Sequence, residues 1–305
     1  MTELHHYATQ FYATKQDQGR SAETLRHYRF HIDRFLAWCH QQGYHGNDFF
    51  GVAGAEVIEE YLAQLRASGM SLFTIHGVFR SLRVFYKWLF KRYALGDLEC
   101  PFTYVSEPTK PDLLPKAIGY AQYCVLLNSI SSTPHYPAWL YLRDRLLVRM
   151  LFETGARAKE ILRLRLDDVD LERRSLRVLR SKIHKEDLIP FSRSLQTELG
   201  AWFEQRPTCT HDSLWPSYLH TNKQDCLTLT YDGLRSMLGH RCQAAKLPKF
   251  APHTFRHGCG VHIVQRGGDI SLVQKILGHQ QLSTAAIYLR FDSDQLRGLY
   301  DRIFD

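Results

Sequence analysis

The 305-residue sequence has no Cys-x-x-Cys pair, and its seven cysteines are an odd number scattered along the chain. This distribution argues against a disulfide framework and against a thiolate zinc site, and it favours a reducing compartment. The sequence also lacks any uncharged apolar run near the roughly 18 residues that a membrane span requires, and no apolar secretory segment follows Met1. We therefore expect a cytoplasmic protein with no membrane partner.

Acidic side chains are in the minority: 31 Asp and Glu stand against 39 Lys and Arg, so the formal charge is +8 and the pI is about 9.1. Such a surface attracts polyanions, nucleic acid first and an anionic membrane second, although many basic surfaces serve solubility alone. A Gly-rich Lys-Ser/Thr phosphate loop is absent, as are internal repeats and low-complexity tracts. The apolar content of 44% is sufficient for the cores of two ordinary domains.

Residues 1–98 have the pattern of an all-helical domain, because apolar side chains recur at helical spacing over 21–42, 56–67 and 71–93. Nothing before residue 95 has the pattern of a strand, and Ser71 is a good N-cap for the third helix. That helix carries four cations on one narrow face: Arg80, Arg83, Lys87 and Lys91. Two interpretations stay open, a solvated face and a helix laid against DNA with its cations on phosphates.

Four of the eleven prolines cluster at 99–116, in a polar context that cannot continue a helix. We place the domain linker there, between domain 1–98 and domain 117–305. In the second domain, β-like stretches at 175–180 and 187–191 predict a hairpin with a basic tip. The other patterns are helical: 120–129, 137–152, 194–205, 231–245, 253–266, 271–277, 284–290 and 293–303. The predicted fold class is mainly α, with a small β-sheet in the second domain.

Two segments of the second domain supply cations that could act on a substrate. Gly155 ends one predicted helix in the way a C-terminal glycine does, so Arg157 begins the next helix, where a side chain can point into a cleft. Lys182 and Lys185 lie at the hairpin tip, on a loop that can reach a substrate and retract. A mobile lysine of this kind suits a proton donor.

Two further segments supply histidines, an arginine and a tyrosine. His253 and Arg256 are three residues apart, so they share one helical face and present a hydrogen-bond donor beside a bidentate phosphate ligand. His279 and Tyr288 are nine residues apart, and an unbroken helix would place them on opposite faces. Because Gly278 is a helix-stopping residue, we expect the helix to break before Tyr288, which would let the two side chains converge.

Each motif is weak when taken alone. His31 and Arg34 repeat the His-x-x-Arg spacing on an ordinary helix of the first domain, and Tyr288 is one of sixteen tyrosines. The ordered combination is informative, and it resembles the tyrosine recombinases, which include phage integrases and the Xer-type enzymes that resolve chromosome dimers. TGAR followed by Glu160 resembles the family's first arginine box, SKIHKEDLIPF its β-hairpin lysine segment, PHTFRH its His-x-x-Arg box and LGHQQLSTAAIY its final box.

The resemblance covers about residues 115–295 strongly, whereas residues 1–98 resemble the family's core-binding domain in general character only. It implies a two-domain DNA clamp, with an all-helical core-binding domain and an α+β catalytic domain. It also implies a site-specific recombinase that works through a 3′-phosphotyrosine intermediate and a Holliday junction, without a metal, ATP or another cofactor.

By resemblance, the catalytic roles fall on six positions: Arg157, Lys182, His253, Arg256, His279 and Tyr288. Tyr288 is the implied nucleophile, His253 a candidate base and Lys182 the implied proton donor to the leaving 5′ oxygen. The two arginines would neutralise charge on the phosphate, and His279 would hydrogen-bond to it. The choice of Lys182 over Lys185 depends on counting back from 188–190, so Lys185 stays open as the proton donor and as a DNA contact. Departures from the family pattern, at Ala156, Ala158, Lys159 and Asp187, should affect packing and DNA contacts more than chemistry.

The implied partner is double-stranded DNA with a specific recombination site, and strand exchange between two duplexes implies a homo-tetramer in the synaptic complex. The stretch 292–305 has the pattern of a tail helix, which would dock either on a neighbouring protomer or on its own domain. An accessory DNA-bending protein or a partner recombinase is a further option, and nucleoid association would follow from such a substrate. Integration, dimer resolution and movement of a mobile element would all have the same sequence pattern.

Three alternatives to recombination fit parts of the same pattern. Type IB topoisomerases and telomere resolvases use a similar constellation, and a DNA-binding protein without catalysis would keep the basic surface. A metalloenzyme is suggested by His253, His257 and His262, but the first pair lacks the intervening glutamate of a zincin and Arg256 would repel a cation. We expect His257 and His262 to serve helix packing or solvent contact.

Overall fold

The computed structural model of the protein describes residues 3–93, 100–109, 115–131, 137–180, 185–218 and 227–278. The chain divides into two compact units, Met1–Leu113 and Leu114–Asp305. We call them the N-terminal unit and the C-terminal unit.

The described part of the N-terminal unit is helical. Its α-helices are α1 (Glu3–Asp17), α2 (Ala22–Gln42), α3 (Gly51–Ala67) and α4 (Leu72–Arg92). Serine caps start two of them: the Oγ atoms of Ser21 and Ser71 each accept a hydrogen bond of 3.2 Å from a backbone N–H three residues along. Such a cap stabilises a helix by about 1 kcal/mol because it satisfies a donor that the first turn leaves free. The cap predicted at Ser71 is therefore confirmed.

An aromatic core holds α1, α2 and α4 together. Its fully buried rings are Phe11, Phe35, Phe79, Phe85 and Tyr86. Each such ring contributes on the order of 2 kcal/mol by leaving water. Helix α1 was not among the predicted helices, although it buries Leu4, Ala8 and Phe11 at helical spacing. Helix α3 begins at Gly51, five residues before the predicted start at 56.

The C-terminal unit is mostly helical with one small sheet. Its helices are α5 (Tyr120–Ser129), α6 (Ala138–Glu153), α7 (Ala158–Leu162), α8 (Arg193–Gln205), α9 (Tyr231–Ala244), α10 (Pro252–Gln265) and α11 (Ile270–Leu277). The strands are β1 (Val169–Asp170), β2 (Ser175–Arg180) and β3 (Lys185–Pro190). The predicted fold class, mainly α with a small sheet in the second domain, is confirmed. The predicted helices at 284–290 and 293–303 and the tail at 292–305 lie outside the described residues.

Helix α6 is the centre of this unit, because Leu146, Leu147, Val148, Met150 and Leu151 are all fully buried. The helices around it enclose one continuous apolar cluster, which the inner face of the sheet completes. A helix buried on nearly all sides gives a rigid base to the segments that leave its ends. The most important of these segments for the site is the turn after Glu153.

The sheet is antiparallel in the order β1-β2-β3, and the β2–β3 pairing runs from Ser175 opposite Pro190 to Arg180 opposite Lys185. Strand β2 alternates strictly: Leu176, Val178 and Arg180 are buried, whereas Arg177 and Leu179 are exposed. The predicted hairpin is confirmed, but β3 begins two residues earlier than expected and β1 adds a strand that the pattern did not predict. Within the described ranges, no helix is long and apolar enough to span a membrane.

Candidate active site

Arg157 lies where the sequence predicts it, at the start of a helix. It is the N-cap residue of α7, and its backbone N–H donates a hydrogen bond of 2.8 Å to Oε2 of Glu160. Its Nη1 donates to the other oxygen of the same carboxylate, at 2.9 Å. The Arg157 side chain is 24% exposed whereas that of Glu160 is 1% exposed, so a buried anion orients a guanidinium that still reaches solvent.

The turn between α6 and α7 requires glycine at position 155. Gly155 has φ +57°, and a Cβ there would lie 2.3 Å from Cδ2 of Leu277 and 3.1 Å from Sγ of Cys259. An L residue would be strained by the backbone angle and would also collide with α11 and α10. Helix α11 can therefore approach this turn closely only because glycine has no Cβ.

Arg256 connects the same turn to the end of α11. The residue is buried, and its Nη1 donates a hydrogen bond of 2.6 Å to the carbonyl oxygen of Gly155. Its Nη2 donates to the carbonyl oxygen of Leu277, the last residue of α11. One planar guanidinium thus joins the Arg157 turn to the point where the chain leaves α11 toward His279.

His253 lies one turn before Arg256 on α10. The residue is exposed at the surface, but neighbouring atoms partly desolvate its ring. This desolvation is the main cause that lowers the pKa of His253, and the positive charges of Arg256 and Arg157 lower it further. Desolvation and the charges of His253 and Arg256 also lower the pKa of His257, to about 4. The charges of Arg157 and Arg256 both act on His253, so the neutral imidazole is favoured there.

The end of α11 is a helix stop, as predicted. Gly278 adopts the left-handed conformation with φ +62°, and its N–H donates to the carbonyl oxygens of Gln274 and Lys275. Helix α11 therefore ends at the expected glycine, whereas the predicted break between His279 and Tyr288 lies outside the described residues. His279, Tyr288, Lys182 and the side chain of Lys185 lie outside the described residues.

Sequence reasoning missed Arg180, which is buried beside Glu160. Its guanidinium donates to Glu160 at 3.1 Å, to Asp187 at 3.1 Å and to the carbonyl oxygen of Ile276 at 3.2 Å. The signal that could have found it is the alternation of β2, because a charged residue on the apolar face of a strand requires buried partners.

The four cations predicted to contact DNA lie on α4 in the N-terminal unit. Arg80, Lys87 and Lys91 are exposed. Arg83 is half-buried, since its Nη1 donates a hydrogen bond of 2.6 Å to Oε2 of Glu107 and its guanidinium lies 5.2 Å from the centre of the Phe79 ring. Three side chains of this face therefore project into solvent, and the fourth is held against the protein.

One of the three histidines that suggested a metal site packs against an aromatic ring. The His262 ring stacks on Tyr120, with centroids 4.3 Å apart and an interplanar angle of 12°. Stacking of this kind is the packing role expected for His262. In the ranges given above, no group of three or more His, Cys, Asp or Glu side chains is arranged to hold a metal ion.

Comparison with known proteins places both units in one family. Residues 125–294 match the model of the phage integrase family, and residues 8–94 match the N-terminal SAM-like domain of phage integrases. Tyrosine recombinase XerC of Mycobacterium sp. (strain KMS) is 28% identical over 293 residues, covering 94% of each chain. Tyrosine recombinase XerA of Pyrococcus furiosus is 29% identical over 287 residues, covering 93% of this chain and 89% of the relative.

A solved structure has the same fold over nearly the whole chain. The integrase of transposon Tn1549, in complex with transposon right end DNA, superimposes with a TM-score of 0.71 at 20% identity, covering 98% of this chain and 99% of that one. More than half of the present chain matches the catalytic family model, and the fold and the placement of Arg157 and Arg256 agree with that match. The chain therefore belongs to the phage integrase family and is a Xer-like tyrosine recombinase.

Proposed function

We propose that the protein cleaves and rejoins DNA at a specific recombination site, with Tyr288 as the nucleophile. The observation that carries this proposal is the Arg256 guanidinium, which joins the turn that presents Arg157 to the last residue of α11. His279 and Tyr288 follow that residue in the sequence. The segment that contains them therefore begins beside Arg256 and the turn that presents Arg157. Its Xer relatives and the DNA-bound Tn1549 integrase support DNA as the substrate.

The two arginines suit the charge that develops when a phosphodiester is attacked. Attack places negative charge on the non-bridging oxygens, and fixed guanidinium groups stabilise that charge without reorganising during the reaction. Arg157 is oriented by Glu160 and still partly exposed, so its outer face can bind phosphate. We assign Arg157 and Arg256 to charge stabilisation.

His253 suits a base because its surroundings favour the neutral ring. Desolvation and two nearby arginines lower the pKa of His253, so the imidazole is neutral at physiological pH and can accept a proton from the phenol of Tyr288. A phenol has an unperturbed pKa near 10, so it needs such help at neutral pH.

In the proposed step, the Tyr288 oxygen forms a bond to phosphorus while the bond from phosphorus to the 5′ oxygen breaks. The phenol proton passes to His253, Lys182 delivers a proton to the departing 5′ oxygen, and His279 hydrogen-bonds the phosphate. The phosphotyrosine ester conserves the bond energy, so a 5′ hydroxyl can reverse the step without ATP. When both duplexes are cleaved, each 5′ hydroxyl attacks the phosphotyrosine of the other duplex, which releases both tyrosines and gives the Holliday junction.

Strand exchange between two duplexes needs four active sites, so we propose a tetramer on DNA, in which residues 292–305 dock on a neighbouring protomer. We also propose that 1–98 is the core-binding domain, 99–116 the linker and 117–305 the catalytic domain. The exposed cations of α4 would contact phosphates in this arrangement. An accessory DNA-bending protein or a partner recombinase would add to the complex, which would associate with the nucleoid.

Covalent trapping tests the chemistry. The protein is incubated with nicked duplexes drawn from the DNA flanking its gene and run on a denaturing gel, beside Tyr288→Phe and the control Tyr300→Phe. We expect an adduct with the wild type and the control, and none with Tyr288→Phe. An adduct that persists in Tyr288→Phe shows that the nucleophile is another residue. Tight DNA binding without any adduct supports a non-catalytic DNA-binding protein.

The tail proposal has a separate test. A chain truncated after residue 291 should still bind one DNA site and form the adduct, but it should fail to pair two sites in a native gel. Pairing that is unchanged by the truncation contradicts docking on a neighbour. Recombinant products on a plasmid with two sites, as opposed to relaxation of any supercoiled plasmid, separate recombination from topoisomerase activity.

A further inference from the structure

Arg180 is buried at a strand position where the sequence pattern calls for an apolar residue. It follows Leu176 and Val178 on the inner face of β2, and it is 3% exposed. Removing a charge from water is costly, and buried ion pairs often add little to stability over an apolar residue of similar size. Stability alone therefore does not account for an arginine here, and its partners indicate what else it does.

The partners of Arg180 lie on three different segments. Nη1 donates to Oε2 of Glu160 on α7, Nε donates to Oδ2 of Asp187 on β3, and Nη2 donates to the carbonyl oxygen of Ile276 near the end of α11. Each distance is between 3.1 and 3.2 Å. A planar fork with three such acceptors fixes their relative positions, which a lysine or an apolar side chain cannot do.

Arg180 lies close to two residues that have proposed catalytic roles, Arg157 in space and Lys182 along the chain. Glu160 also binds Arg157 through both the backbone N–H and Nη1. Arg180 is the last residue of β2, two residues before Lys182. Arg180 therefore lies at the junction between the carboxylate that orients Arg157 and the hairpin that carries Lys182.

The contact with α11 reaches the residue next to His279. The Arg180 guanidinium packs on Gly278, where an added Cβ would lie 2.8 Å from Cζ and 2.9 Å from Nε. Arg180 and Arg256 bind the carbonyl oxygens of Ile276 and Leu277, so two guanidiniums lie at the negative end of the α11 dipole. The direction in which the chain leaves α11 is thus set partly by Arg180.

We propose that Arg180 is a positioning residue for strand cleavage, which holds the end of β2, the Glu160–Arg157 pair and the end of α11 in one arrangement. The inference rests on the proposed function, because it concerns the geometry of the same reaction. Asp187, where the family often has a basic residue, has a role in this arrangement, since it neutralises Arg180 across the hairpin.

The test compares Arg180→Met with Arg177→Met. Arg177 is on the same strand, but its side chain is 50% exposed and pairs with Asp168, so it controls for loss of an arginine from β2. Adduct formation on a nicked duplex is followed at saturating protein in a single turnover, which gives a rate constant and an amplitude. DNA affinity is measured on the same duplex by fluorescence anisotropy.

We expect Arg180→Met to lower the rate constant by about 100-fold, the loss typical of a displacement near 1 Å at a reacting centre. The amplitude and the DNA affinity should stay at wild-type values, as should every value of Arg177→Met. A purely structural residue would instead reduce the amplitude, by reducing the fraction of folded protein, and leave the rate constant unchanged. That result would overturn the proposal.

Arg180→Lys decides the matter if Arg180→Met does not fold. Lysine keeps the positive charge beside Glu160 but cannot bind three acceptors at once, so we expect at least a tenfold lower rate constant at full amplitude. An unchanged rate constant overturns the inference while the proposed function stands. If the wild type formed no adduct, or if Tyr288→Phe formed one, the proposed function would instead be refuted.

Discussion

Glu160→Gln is the substitution whose effect the structure defines most sharply. The Glu160 side chain is 1% exposed and accepts hydrogen bonds from Arg157 and Arg180. Glutamine has nearly the same shape, but it removes the negative charge and turns an NH₂ group toward one of the guanidiniums. The buried Arg180 and the partly exposed Arg157 then lose their shared anion, and breaking a buried ion pair costs about 3–5 kcal/mol.

Amide hydrogen exchange of α6 measures this cost for the C-terminal unit alone, because α6 lies at the centre of that unit. A loss of about 3–5 kcal/mol should speed exchange there roughly 140- to 4,000-fold, since each 1.4 kcal/mol is tenfold. The control Glu172→Gln, at an exposed position, should change the free energy by less than about 0.5 kcal/mol. A loss below about 1 kcal/mol in Glu160→Gln, which is the range of exposed ion pairs, would show that Glu160 does not hold the two arginines as a buried anion.

Three further predictions concern other parts of the molecule. Burial, followed by the charge of His27, lowers the pKa of His31 below 6.5, so the unfolded chain binds this proton at a higher pH than the folded chain does. The unfolding free energy of the N-terminal unit should therefore fall as the pH drops below about 6.5. In His31→Gln, the slope of the unfolding free energy against pH should be smaller. Equal slopes would contradict this. Gly155→Ala should abolish adduct formation and lower the melting temperature, because its Cβ would lie 2.3 Å from Leu277; wild-type activity would show that the turn tolerates a side chain. Lys87→Gln should reduce the slope of log affinity for DNA against log salt by about 1, whereas Arg83→Gln, whose guanidinium is held by Glu107, should change it less; equal effects would contradict the assignment.

Local sequence signals predict most helices and strands, and they also predict the helix ends around the site. Helix α5 has the predicted bounds, and α6, α8, α9, α10 and α11 agree with prediction to within one residue at each end, because strong apolar spacing and terminal residues act together. Gly155 and Gly278 end their helices as predicted, since only glycine adopts positive φ without strain. Helix α1 and the short strand β1 lacked such terminal signals, so tertiary packing decides them.

The contacts that assemble the site were beyond local pattern. The first arginine box includes Glu160 by spacing alone, and the alternation of β2 can indicate that Arg180 is buried. Neither pattern shows that the acceptors of Arg180 come from α7, β3 and α11. The geometry that joins such distant segments depends on how α6, α10 and the sheet pack. The partial burial of Arg83 has the same origin, since Glu107 is 24 residues away along the chain.

In the proposed reaction, Tyr288 forms a covalent bond to the 3′ phosphate of a cleaved strand. The most direct measurement is mass spectrometry of the trapped adduct after digestion with a protease and a nuclease. We predict a single modified peptide that contains Tyr288, bearing a nucleotide through its 3′ phosphate. A nucleotide on another tyrosine, or one attached through a 5′ phosphate, would contradict the assignment of Tyr288 as the nucleophile.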